Sequence, residues 1–107
     1  MARFMFQASY STEGVKGVLK DGGTGRRAAI EAALKSLGGK LEAVYFAFGD
    51  TDIYVIVDGI DNAKAVAFSM GVGASGALSN VKTTILLTPE EIDQAAKVTM
   101  SYRAPGR

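Results

Sequence analysis

A chain of 107 residues has room for one domain and one hydrophobic core. Its 48% hydrophobic and 21% charged content excludes a disordered chain, and 12 basic against 11 acidic residues leave a net charge of +1, no footprint for nucleic acid or an anionic membrane. Cys and His are absent, which removes disulfides, thiol nucleophiles, imidazole bases and the commonest soft-metal and haem ligands. No stretch approaches the roughly 20 apolar residues of a bilayer span, and Met1-Ala2-Arg3 leads into alternating residues rather than a signal-peptide apolar region. A cytoplasmic location is expected. A core of this size buries only about two thirds of the unfolded surface, and a mean hydropathy of +0.14 is apolar for a small monomer, which fits an interface between copies.

In chain order, Arg3 to Tyr10 alternates Phe4, Phe6 and Ala8 against Met5, Gln7 and Ser9, the pattern of a two-faced strand. Ser11-Thr12-Glu13-Gly14 opens a short helix with Val15, Val18 and Leu19 on one face. Asp21 to Gly25 is expected to be a flexible loop, followed by a helix from Arg26 to Leu37 with an apolar stripe at Ala29, Ile30, Ala33, Leu34 and Leu37. Gly38-Gly39 ends it. Lys40 to Phe48 and Ile53 to Val57 read as a hairpin turned at Gly49-Asp50-Thr51. Asp61-Asn62 begins a helix to about Met70 with Ala63, Val66, Ala67 and Met70 on one face, and a glycine-rich segment from Gly71 to Gly76 follows. Val81 to Leu87 is the fourth strand. Thr88-Pro89-Glu90-Glu91 then has a cap, a proline for the first helical position and a capping-box glutamate, starting a helix to about Val98. The ordered core is expected over about 2–98 of a single domain spanning 1–107, with a tail at 99–107.

This order is α+β, a ferredoxin-like βαββαβ sandwich with a C-terminal helix, whose helices cover one sheet face. With an even-numbered hairpin loop, Val44, Phe46 and Phe48 share the helix-side face with Ile53, Val55 and Val57. The opposite face then carries Ala43, Tyr45 and Ala47, Asp52, Tyr54 and Ile56, Met5, Gln7 and Ser9, and Lys82, Thr84 and Leu86. A mixed, partly aromatic patch of this kind meets a partner sheet or lines a cavity. Gln7, Ser9, Tyr45, Asp52, Tyr54, Lys82 and Thr84 are therefore the candidate ligand-binding residues; the plainer alternative is a dimer interface in which they satisfy one another.

Gly71-Val72-Gly73-Ala74-Ser75-Gly76 matches G-x-G-x-x-G, but a helix precedes it where a dinucleotide site needs a strand, so a helix end is the simpler reading. Gly22-Gly23-Thr24-Gly25 before Arg26 and Arg27 could cradle an anion through backbone N–H groups and the two guanidinium groups, or be a mobile loop. Asp50, Asp52 and Asp58 form a poor cage for a hard metal. No metal or cofactor is assigned, and no catalytic residue.

Ala2-Arg3-Phe4 through Ser9-Tyr10-Ser11, Ser36 to Glu42, Tyr45 to Asp52, Val81 to Thr84 and Leu86 to Glu91 together resemble the GYD domain family over about residues 2 to 97. Gly49 and Asp52 resemble the glycine and aspartate of its Gly-Tyr-Asp motif, but Asp50-Thr51 stands between them and the tyrosine is missing. The resemblance implies a bacterial, ferredoxin-like domain related to the dimeric α+β barrels, in which two sheets pack face to face. It implies no reaction. The relatives in that wider group include cofactor-free monooxygenases, isomerases and haem enzymes, an analogy of fold alone.

Two readings of function follow. One is a homo-oligomeric barrel that binds a small, partly aromatic or apolar molecule between its sheets, with cofactor-free catalysis as its enzymatic form. The other is a non-catalytic oligomerisation or ligand-sensing module in which the glycine-rich segments at 22–25 and 71–76 order around an effector. Both expect association with further copies of the chain, and neither expects nucleic acid or a membrane as partner.

Overall fold

Alternating apolar residues make β1 (Ala2–Tyr10) a strand with one buried edge-to-edge row, Phe4, Phe6 and Ala8. The computed structural model describes residues 2–107, so residue 1 of the single-domain reading lies outside the described residues. After β1 the Ser11 hydroxyl accepts from Gly14 N at 3.1 Å and caps α1 (Thr12–Ser36). β2 (Lys40–Phe46) and β3 (Ile53–Ile60) form the hairpin, Asp61 caps α2 (Asn62–Ala74), β4 (Leu78–Leu86) returns through the sheet, and α3 (Pro89–Ala96) ends the regular structure. Thr88 and Glu91 make both bonds of the capping box expected at α3.

The four strands lie in the order β2-β3-β1-β4, every pair antiparallel. With three helices this is an α+β domain consistent with a ferredoxin-like fold. The core sits between the sheet and α1 and α2: Phe4, Phe6, Ala8, Ile53, Val55, Val57 and Ile60 from the strands meet Leu34, Ala65 and Phe68 from the helices. The Phe6 and Phe68 rings meet at 4.7 Å in a tilted pair. Val44 pairs with Val55 and Phe46 with Ile53, so the hairpin has the even parity that places these residues together. Gly59, at φ 82°, is the extra residue where β3 slips against Ala2 and Arg3.

Several local expectations need correction. The loop expected at 21–25 is a break of one residue: Gly22 alone leaves the helical region, at φ 74° and ψ 167°, and the helix resumes at once. A glycine can absorb the whole change of direction there, and the Asp21–Arg26 ion pair at 3.4 Å spans the break. α2 does not stop at Met70 but runs to Ala74, because its N–H and C=O groups remain paired despite Gly71 and Gly73. The sequence also misassigns the inner face of α2. Ala65 and Phe68 are buried, whereas Val66 and Met70, from the expected stripe, are 50% and 64% exposed. That helix is apolar on both sides, so periodicity alone could not choose between them. In α1, Leu34 is buried as expected, but Leu19 is 81% exposed.

Candidate functional site

The uncovered sheet face brings most of the candidate residues into two adjacent rows. In register across the strands, Tyr45 lies opposite Tyr54, Tyr54 opposite Gln7, and Gln7 opposite Lys82. The neighbouring row is Ala43, Ile56, Met5 and Thr84, and beyond it Lys40 and Arg3 flank Asp58, with Arg3 paired to Asp58 at 3.6 Å. Directly opposed side chains in such rows stand about 5 Å apart. The face is therefore apolar at its middle, with hydroxyl, amide and ammonium groups on one side and an ion pair on the other.

The hairpin connection, residues 47–52, folds against the end of β1 and uses three of the candidates structurally. The Ser9 hydroxyl donates to the Asp50 carbonyl at 2.8 Å, Gln7 Nε2 donates to Thr51 Oγ1 at 3.4 Å, and the Asp52 carboxylate accepts from Tyr10 N at 2.8 Å. Asp52 N also donates to the Ala8 carbonyl at 2.9 Å. Asp52 thus continues the β1–β3 ladder past its last paired residue. Of the other candidates, Tyr45, Lys82 and Thr84 are exposed and Tyr54 is half-buried, and none makes a side-chain hydrogen bond among the described residues. Asp58, paired with Arg3, stands at the far end of β3 from Asp50 and Asp52, and the described residues contain no group of three acidic side chains placed to hold a metal ion.

The two arginines separate. Arg26 is half-buried and borders the same groove as Tyr10, while Arg27 is exposed. The expected anion cradle at 22–25 is the break itself, with Gly22 outside the helical region and Gly23 to Gly25 opening the resumed helix. What the Arg26 side joins instead is a groove of about 570 Å³ between α1 and α2, bounded by Tyr10, Glu13, Gly17, Arg26, Ala67 and Gly71 among others. A smaller apolar hollow of about 50 Å³ lies beneath it, reaching Phe6, Ile30, Val55 and Val81 and sharing Tyr10 and Arg26. Burial raises the Tyr10 pKa above its ordinary value; the Arg26 cation beside it works the other way, and Asp52 adds to the rise.

Tyr10, Glu13, Gly17 and Phe68 were not among the residues singled out for binding, whereas Gly71 belongs to the segment expected to order around an effector. A signal for them does exist in the chain: Gly14 and Gly17 at a spacing of three, and Ala67 and Gly71 at a spacing of four, put small residues on facing helix sides that cannot fill the gap between them. Phe48 closes the end of the groove side of the sheet, stacking on Tyr10 at 6.2 Å and on Phe46 at 6.1 Å from a left-handed backbone of φ 55°.

No curated protein and no solved structure matches the chain. The family model of the GYD domain matches residues 4–96, from the first core phenylalanine of β1 to the last residue of α3, and includes the hairpin in which Asp52 ties β3 to β1. With nearly the whole domain matched, the chain belongs to the GYD domain family.

Proposed function

We propose that this GYD domain assembles sheet to sheet as a homo-oligomeric barrel and binds a small, partly aromatic or apolar molecule between the sheets. The row Tyr45–Tyr54–Gln7–Lys82 beside the row Ala43–Ile56–Met5–Thr84, on a face that α1 and α2 leave bare, is the observation that supports it. An apolar middle with a polar margin is the anatomy of an association surface. Its exposed hydroxyl and ammonium groups would orient a ligand held against Met5 and Ile56, and proton transfer by these groups is the cofactor-free chemistry open to them. Native mass spectrometry of the protein purified from its own host tests this. A multimer retaining a small molecule that Tyr45→Ala with Tyr54→Ala releases is expected; a monomer at every concentration, or a retained molecule indifferent to both changes, overturns the reading.

The groove between α1 and α2 favours a second reading, a ligand-sensing module. Its volume is within the few hundred Å³ typical of small-molecule sites, and its few polar groups converge on Arg26 and Tyr10. The glycine-bearing segment around Gly71 borders it, and Arg26 reaches it from α1. Gly71 has open space where a side chain would project, so Gly71→Leu fills the groove without a backbone clash. A ligand-induced rise in melting temperature that survives both Gly71→Leu and Arg26→Ala argues against this reading.

A further inference from the structure

We propose that α3 and the segment after it form an arm that packs on the outer face of α2 in a second copy of the chain. The proposal deepens the homo-oligomer reading and rests on it for the identity of the partner. α3 is a well-formed helix with a complete capping box, yet none of its residues is buried. Ile92 is 51% exposed, Val98 73%, Met100 75% and Tyr102 69%. Ile92, Ala95 and Ala96 share one side of α3, and Glu90, Asp93 and Lys97 are available to water around it. An amphipathic helix of eight residues is too short to be stable on its own in water, so its apolar side implies a surface that receives it.

The receiving surface is α2. That helix buries Ala65 and Phe68 against the sheet and still presents Ala63, Val66, Ala67 and Met70 outward at spacings of three and four. Helices apolar on all sides are found inside structures, between two layers. Ser69 and Thr83 join their hydroxyls across the α2–β4 boundary, and Ile85, 48% exposed, continues the apolar surface from α2 onto β4. Lys64 is the only charged residue of α2 and its ammonium lies toward Gly38, so the outward stripe carries no charge of its own.

The total surface indicates a second copy as the occupant. A compact monomer of 11.2 kDa exposes about 5,700 Å², whereas this chain exposes 7309 Å². The excess, about 1,600 Å², is roughly twice what each partner gives up in a standard interface, enough for a sheet face and an exchanged arm together. The radius of gyration agrees: 16.9 Å against about 13 Å for a compact chain of this length. Only Leu87 and Thr88 separate β4 from α3. Pro89 at the first helical position and the capping box fix where α3 begins, and none of its residues is buried against its own domain. Two chains related by a two-fold axis would exchange arms reciprocally.

The chain contains no cysteine, so engineered thiols report without background. In the Met70→Cys/Ile92→Cys variant, oxidation is expected to give a covalent species of twice the 11.2 kDa chain mass on a non-reducing denaturing gel. A fast-migrating monomer with an internal disulfide, or no cross-link, overturns the exchange. Ile92→Glu, at an exposed site that leaves the fold intact, is expected to raise the dissociation constant of the wild-type assembly about tenfold or more; an unchanged constant overturns it. Tyr54→Arg separates the two ideas. If it abolishes the sheet contact while the cysteine pair still cross-links between chains, the arm stands without the barrel. If it dissociates an assembly in which that pair never cross-links, the barrel stands and the arm falls.

Discussion

The carboxylate of Asp52 accepts the backbone N–H of Tyr10 at 2.8 Å, so one side chain takes over the pairing of β1 just before β3 begins. Asp52 stands where the family resemblance places the motif aspartate, and in this chain its carboxylate is committed to the backbone. Asp52→Ala should lower stability by about 1–3 kcal/mol, leaving a half-buried N–H without its charged acceptor, and Asp52→Asn by less, since an amide oxygen can still accept. Urea unfolding checks the order; equal losses for the two variants would refute it.

Gly14 meets the connection before β4 so closely that a Cβ there would lie 2.0 Å from the Ala77 carbonyl oxygen and 2.8 Å from the Tyr10 ring. Gly14→Ala must push backbone aside and should cost about 2–3 kcal/mol. Gly17→Ala, three residues on with open space at the same position, should be neutral or stabilise by up to about 1 kcal/mol through helix propensity. Thermal unfolding of the two variants side by side gives the comparison.

The Tyr10 phenol has its pKa raised, by burial first, with Arg26 opposing the rise and Asp52 adding to it. The folded chain therefore holds this proton more tightly than the unfolded chain. Its contribution to stability is complete below the unfolded value of about 10 and is lost as pH rises through the higher folded value. Arg26→Ala removes the opposing cation and should move the phenol further up. Absorbance titration of tyrosinate, with Tyr10→Phe subtracted to remove the other tyrosines, measures this; a downward move would contradict the placement of Arg26 beside the ring.

Asn80 adopts φ 51° where β4 slips against β1 between Gln7 and Ser9. Asparagine tolerates this left-handed backbone and a β-branched residue does not. Asn80→Val should cost about 1–2 kcal/mol and Asn80→Gly almost nothing, a contrast that denaturant midpoints resolve.

The succession of strands and helices, hairpin parity and the α3 cap were legible in the residues because each depends on neighbours in sequence. Phe4, Phe6 and Ala8 alternate within one strand, and Thr88 and Glu91 are a single turn apart. The bare sheet face was legible for the same reason: once Val44 and Val55 share a side, Tyr45 and Tyr54 must share the other. The roles of Ser9 and Asp52 were not. Their partners, Asp50 and Tyr10, are brought to them by the fold of the hairpin connection, and Asp52 and Tyr10 are 42 residues apart in sequence.

The sequence by itself determined the class of the domain, the face its strands leave uncovered and the chemistry it cannot perform without Cys or His, since composition and short-range periodicity carry that information. Tertiary structure decided which side of α2 is inside, because Phe68 can reach Phe6 only when Val66 and Met70 face out. It also decided that Arg26 and Tyr10 meet at a groove and that α3 stands apart from its own core. Those outcomes depend on volumes and distances between segments remote in sequence, and no local pattern encodes them.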